Sequence, residues 1–262
     1  MNNDRIQEIL DLMEEARLDY FLISDPQSIA YCTGYYNDPH ERMFVFMISK
    51  HGNHTLFMND LFYLEHDLDV NIVWHKDGQD AIQTIVNEMH FPGRIGIDKN
   101  WASHFLLDLM KKLPDAKYIN ASPCVDLVRM KKDLQEQVLM IESSKINDAV
   151  MEEIIPFIQE GVSEKQLAKK LDELFFNHHS TCYGAIVAFG KNAADPHHEN
   201  DDTPLRKGDC VLIDMGCVYK GYCSDMTRTF FYEGILEEEI KIYEIVKKAN
   251  EAAEAMIKPG VK

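Results

Sequence analysis

Two aspartates, Asp214 and Asp225, interrupt the largely apolar segment 207–229. The segment has the pattern of two strands joined by a turn, which we predict to centre on Tyr219-Lys220. That turn would place the two aspartates directly opposite each other, with Cβ atoms ~5 Å apart on one face of the hairpin. The sequence therefore predicts a close pair of carboxylates.

Two carboxylates at this separation repel each other, and three outcomes relieve the repulsion. One carboxylate takes up a proton, a basic side chain neutralises the pair, or a cation lies between them. Short side chains on rigid strands favour the cation, because a two-metal site needs oxygens that hold two ions ~3.5–4 Å apart. The alternative for each aspartate alone is that it caps a turn or faces water.

A polar loop precedes the hairpin. Gly190 and Pro196 indicate that the chain leaves a strand here, and such loops often carry side chains to the mouth of a site. His197 or His198 could donate a hydrogen bond to a substrate carbonyl or to a developing oxyanion. The alternative for either histidine is simple solvation.

The elements that position these residues fall into two groups. The first ~125 residues alternate between helix and strand patterns, which is typical of a layered α/β domain with a mixed sheet. We predict helices in residues 6–13, 78–90 and 101–113, and strands at 20–23, 43–48, 54–58, 71–74 and 94–97.

The pattern changes after Pro123. One long charged helix is predicted over 126–160, and Pro156 should end or kink it. Its apolar positions are Leu134, Val138, Ile141, Ile146 and Val150. Ser163 and Gln166 match a capping box that opens a second helix. Strands are predicted at 185–189, 210–217 and 223–232, and a last helix at 236–257.

The formal net charge of −17 argues against a nucleic-acid-binding surface and against docking on an anionic membrane. The N-terminus has no secretory signal pattern, and no apolar run is long enough to span a membrane. Six scattered cysteines without a Cys-x-x-Cys pair indicate reduced thiols and a cytoplasmic protein.

Several fixed residues across about forty positions make the sequence resemble the Xaa-Pro peptidases, which are prolidase and aminopeptidase P. They are Gly-x-Asn-Ala-Ala-x-Pro-His ending at His197, Asp-x-Gly starting at Asp214, and Gly-Tyr-x-Ser-Asp-x-Thr-Arg-Thr starting at Gly221. Segments 24–34 and 129–136 also resemble that family. The resemblance implies a creatinase/prolidase-like α/β domain with a mixed sheet (1–128), followed by an incomplete α+β pita-bread catalytic domain (129–262).

The resemblance also implies a role for each site residue. Asp214 would bind one divalent metal ion, and Asp225 would bridge two ions of manganese, cobalt or zinc. A hydroxide between the ions would attack the peptide bond before proline. His197 would contact the substrate near the scissile bond, Tyr183 would line the substrate pocket, and Thr227 would steady the bridging ligand.

The sequence departs from the family pattern in one respect. The family site has five protein ligands, and the histidine and two glutamates that follow the two aspartates have no match before Lys262. We therefore expect these 262 residues to be an inactive N-terminal part of a longer enzyme. The full-length protein is expected to be a homodimer acting on short proline-containing peptides.

Two other functions fit the same fold. One is a creatinase-like hydrolase, which the metal-ligand motif disfavours because creatinase lacks these metals. The other is a non-catalytic pita-bread module that binds peptides or proteins. The aspartate pair disfavours the module, since binding does not require two opposed carboxylates.

Overall fold

The computed structural model of the protein describes residues 1–90 and 92–261. It divides into two compact units, Met1–Lys131 and Lys132–Lys262. The predicted boundary after residue 128 lies within the last helix of the first unit. Among the described residues, no helix combines the length and the apolar character needed to cross a membrane.

The first unit contains a six-stranded mixed sheet of order β4-β3-β2-β1-β5-β6. Its strands are β1 (Tyr20–Ile23), β2 (Val45–Ser49), β3 (Thr55–Asn59), β4 (Asn71–His75), β5 (Arg94–Ile97) and β6 (Lys117–Asn120). Strand β1 is antiparallel to β2 and parallel to β5. The predicted strands are confirmed within two residues at each end, whereas β6 was not predicted.

Both faces of the central strands of this sheet, β1, β2 and β3, are buried. In β1, Phe21 and Ile23 pack in one core cluster, while Tyr20 and Leu22 pack in another. This division follows from the alternation of side chains along a strand. The helices of the unit are α1 (Asn3–Glu15), α2 (Pro26–Thr33), α3 (Ala81–Glu88), α4 (Ser103–Lys112) and α5 (Ser122–Met130).

The prediction of one helix over 126–160 is wrong. The chain forms α5 and then α6 (Leu134–Ile154), which begins at a capping box of Asp133 and Glu136. A capping box satisfies free backbone N–H groups and marks the start of a new helix. The predicted apolar face is also wrong in its first half, because Leu134, Val138 and Ile141 are exposed. The buried side chains of α6 include Ser143, Asn147, Val150, Met151 and Ile154.

Pro156 ends α6 as predicted, since a 3-10 turn, Ile155–Phe157, follows it. The capping box of Ser163 and Gln166 is confirmed at the start of α7 (Glu164–Asn177). The remaining helix is α8 (Glu237–Met256), which has no buried residue among those described.

The second unit contains a sheet centred on β9. Its strands are β7 (Thr181–Cys182), β8 (Ile186–Phe189), β9 (Cys210–Tyr219) and β10 (Tyr222–Phe231). Strand β9 is antiparallel to each of the other three. Alternate residues of β9 enter one core cluster with side chains of α6 and α7. They are Val211, Ile213, Met215 and Cys217. Asp214 lies at an intervening position and therefore on the opposite face.

Candidate metal centre and its neighbouring loop

The turn between β9 and β10 is one residue further along the chain than predicted. Lys220 and Gly221 form it, with φ of 49° and 84°. Positive φ at both central residues is the signature of a type I′ turn, which suits the twist of a two-residue hairpin. Asp214 therefore pairs with Thr227, and Asp225 pairs with Gly216. The predicted direct opposition of the two aspartates is wrong by two residues.

The two aspartates nevertheless lie on one face of the hairpin, because an offset of two residues preserves the side-chain direction. Diagonal neighbours of this kind are ~7–8 Å apart, with Cβ atoms somewhat closer. Among the described residues, neither Asp214 nor Asp225 has an ion-pair partner. Two uncompensated carboxylates on rigid strands fit hard or borderline divalent cations, whose preferred ligands are oxygens. The donor set therefore fits part of a metal site.

Thr227 contacts the other aspartate than expected. Its Oγ1 donates a hydrogen bond of 2.7 Å to Oδ1 of Asp214, whereas the resemblance pointed to Asp225. The observed register explains the contact, because Thr227 lies directly opposite Asp214. A hydroxyl donor on one carboxylate oxygen fixes the orientation of the carboxylate and leaves its other oxygen for a cation.

Tyr183 lies over the same part of the hairpin. Its hydroxyl donates a 2.8 Å hydrogen bond to the carbonyl oxygen of Ser224. A Cβ atom on Gly216 would clash with that hydroxyl, so the glycine allows the ring to approach the strand. Desolvation and, secondarily, the negative charge of Asp225 raise the pKa of Tyr183 to about 12. The phenol is therefore a neutral donor at physiological pH.

The two neighbouring histidines of the loop have different environments. His197 is exposed, and no hydrogen bond of its side chain occurs within residues 1–90 and 92–261. The imidazole of His198 is largely buried, and its Nε2 lies 2.7 Å from Oε2 of Glu164. Of the two histidines considered from the sequence, His197 is the one with a side chain available to a substrate.

The surroundings of His198 were not predicted from the sequence. Glu164 is fully buried, and ligand-type atoms of Glu164, His198 and Asp201 all lie within 4.8 Å of one another. The only local signal was the capping box, in which Glu164 is the first helical residue. Its carboxylate contacts residues more than twenty positions away, and spacing along the chain does not reveal such contacts.

Each of the two units matches the model of a known protein family. Residues 5–131 match the creatinase/prolidase N-terminal domain, and residues 138–262 match metallopeptidase family M24. An uncharacterized peptidase of Staphylococcus saprophyticus is 28% identical over 267 residues, covering 98% of this chain and 74% of that protein.

Solved structures give the same result. A prolidase from Thermococcus sibiricus superposes with a TM-score of 0.91 at 27% identity, covering 100% of this chain and 74% of the other. A dipeptidase from Pyrococcus horikoshii superposes with a TM-score of 0.87 at 32% identity, covering 98% of this chain and 74% of the other. The predicted mixed-sheet domain and pita-bread fold are confirmed. The chain belongs to metallopeptidase family M24, with a creatinase/prolidase N-terminal domain preceding its peptidase domain.

Proposed function

We propose that the complete protein hydrolyses the peptide bond before proline in dipeptides or short peptides. The observation that carries the proposal is the pair Asp214 and Asp225, which lie on one face of a rigid hairpin without an ion-pair partner among the described residues. The similarity to a prolidase over the whole chain supports the choice of substrate.

Each residue of the centre has a separate role in this proposal. Asp214 and Asp225 would hold two divalent ions of manganese, cobalt or zinc, together with ligands from further along the chain. The Thr227 hydroxyl keeps Asp214 in one orientation. His197 would donate a hydrogen bond to the carbonyl of the scissile bond, and Tyr183 would line the pocket beside Asp225.

The bound ions would supply Lewis-acid polarisation of the carbonyl and would lower the pKa of a water molecule. The work of the protein is then to hold the carboxylates at a fixed separation and to position the donor on His197. Charge that develops on the carbonyl oxygen is best stabilised by a donor that is already in place.

The proposal also covers the cellular location and the oligomeric state of the enzyme. We infer a cytoplasmic protein, because all six cysteines are free thiols and Cys32 and Cys217 are buried in the cores. We also infer a homodimer, as the family resemblance implies. Light scattering of the purified protein tests the dimer, and alkylation of the free thiols in fresh lysate before purification tests the reduced state of the cysteines.

The deciding experiment uses protein expressed from its complete reading frame, loaded in turn with manganese, cobalt or zinc. Hydrolysis of Ala-Pro is compared with that of Ala-Ala, and metal content is measured beside the Asp225→Asn variant. We expect about two ions per chain in the wild type. We expect cleavage of Ala-Pro only, and a loss of more than ~100-fold in the variant.

Two results would contradict the proposal. Absence of both metal binding and cleavage would shift the function to a peptide- or protein-binding module. Cleavage of creatine instead of Ala-Pro would favour a creatinase-like hydrolase. Residues 1–262 alone are expected to be inactive, because two carboxylates form only part of a two-metal ligand set. Metal-dependent cleavage by this polypeptide would disprove that expectation.

A further inference from the structure

Glu164 is a buried carboxylate whose hydrogen bonds are all made to one loop and its preceding strand. Oε1 accepts hydrogen bonds from the backbone N–H of Phe189, at 2.8 Å, and from Nδ2 of Asn192, at 2.9 Å. Oε2 accepts from the backbone N–H of Asp201, at 3.1 Å, and lies 2.7 Å from Nε2 of His198. Each oxygen therefore faces two nitrogen donors.

These contacts close the loop at its base. Phe189 and Asn192 lie before the apex of the loop, whereas His198 and Asp201 lie after it. His197 stands between these two pairs of anchors, directly beside His198. Backbone hydrogen bonds from Glu164 to Thr203 and from Lys165 to Asp201 attach the same loop to the start of α7.

The charge of Glu164 is stabilised where it lies. Glu164 is the first residue of α7, and the N-terminus of a helix favours negative charge. Four N–H donors replace the water that a fully buried carboxylate loses. A cation between Glu164, His198 and Asp201 would have to displace these donors, so the geometry favours a hydrogen-bonded anchor over a metal site.

We propose that Glu164 is a positioning residue for the peptidase reaction: through His198 and the loop ends, it fixes the place of His197. The inference rests on the proposed function of His197. A displacement of ~1 Å in a catalytic group can cost ~100-fold in rate, so a loosened loop should reduce kcat. Substrate affinity should change less.

The test variant is Glu164→Gln in the complete protein. A glutamine has the same shape, but whichever way its amide is turned, the NH2 group meets a backbone N–H donor, that of Phe189 or that of Asp201. Glu153→Gln is the matched control, because Glu153 pairs with His178 at 3.0 Å on the exposed surface of the same unit. We expect kcat for Ala-Pro to fall ~10–100-fold in Glu164→Gln, and to stay unchanged in Glu153→Gln.

A double-mutant cycle separates positioning from general instability. If Glu164 acts through His197, then Glu164→Gln should have little further effect in a His197→Ala background. His198→Gln, whose amide nitrogen can replace the Nε2 donor, should retain most of the activity that His198→Leu loses. Full additivity of Glu164→Gln and His197→Ala, or a loss that only follows the folded fraction, would overturn the proposal.

Hydrogen exchange, which does not depend on enzymatic activity, tests whether Glu164 holds the loop in place. Hydrogen exchange of the backbone amides of Phe189 and Asp201 should accelerate in Glu164→Gln and stay unchanged in Glu153→Gln. Unchanged exchange in both variants would overturn the proposal even in an active enzyme. If the wild type cleaves no proline peptide, the proposed function fails, and the exchange result still decides whether Glu164 holds the loop.

Discussion

In the first unit both faces of the central strands are covered by core clusters, whereas the β9–β10 hairpin of the second unit carries a core cluster on one face. The other face of the hairpin holds Asp214, Gly216, Asp225 and Thr227. A face that is committed to packing has no room for charged side chains. The candidate chemistry of this chain therefore lies where a strand keeps one face free of the core.

A truncation in the packed sheet of the first unit should cost the most stability. Phe46 is fully buried in β2, so Phe46→Ala should lower the free energy of unfolding of the first unit by ~3–5 kcal/mol. Both tryptophans, Trp74 and Trp101, belong to this unit. Their fluorescence during denaturation therefore reports its unfolding selectively.

The matched change on the free face of the hairpin is Leu212→Ala. It should cost no more than ~1 kcal/mol, because Leu212 is only half-buried and lies outside the core cluster. Hydrogen exchange of the β9 amides measures this effect. A cost equal to that of Phe46→Ala would contradict the comparison between the two sheets.

An intermediate effect is expected at Gly216. Gly216→Ala should destabilise the second unit by ~1–3 kcal/mol, because its Cβ would meet the backbone carbonyl of Ser224 as well as the hydroxyl of Tyr183. Gly234→Ala is the control, since the nearest atom to its Cβ would lie at 3.6 Å. Equal thermal shifts in both variants would show that the free face tolerates added bulk at Gly216.

The smallest effect is a pH dependence at Tyr183. Its pKa of about 12 exceeds the ordinary value of ~10, so the folded protein holds the phenolic proton more tightly than the unfolded chain. The resulting stabilisation is complete below about pH 10 and is lost as the pH rises through about 12. Tyr183→Phe should remove this part of the pH dependence of thermal unfolding.

Asp225→Asn tests how much the charge of Asp225 contributes to the raised pKa of Tyr183. In protein without added metal, it should lower the pKa of Tyr183 only part of the way to its ordinary value, because desolvation is the larger cause of the shift. Phenolate absorbance, taken as the difference from Tyr183→Phe, measures the change. A pKa that does not move would mean that the carboxylate of Asp225 lies outside electrostatic reach of the phenol.

Most of the strands and helices and one helix start were predictable, because each depends on a local sequence pattern. The strands predicted at 210–217 and 223–232 placed both aspartates on one hairpin, and the capping box at Ser163 located the start of α7. The turn was misplaced, although Gly221 gave a signal for a type I′ turn at Lys220-Gly221. The cap at Asp133 was also readable, but helical periodicity on both sides of it suggested one continuous helix.

The contacts of Glu164 were not predictable in the same way. Its four donors come from positions 25 to 37 residues further along the chain. Which of them meet the carboxylate depends on how β8 and its loop pack against α7. Local patterns carry no information about that packing, so the capping box indicated where α7 begins but not that Glu164 is buried.

The two-residue turn at Lys220-Gly221 limits the insertions and deletions that this hairpin can tolerate. One inserted or deleted residue, unless absorbed by a bulge, would shift one strand by one position and turn one of the two aspartates to the core face. Exposed turns usually tolerate changes of length well. This turn should instead tolerate replacement of Lys220 far better than any single-residue insertion, although its tip is exposed to solvent.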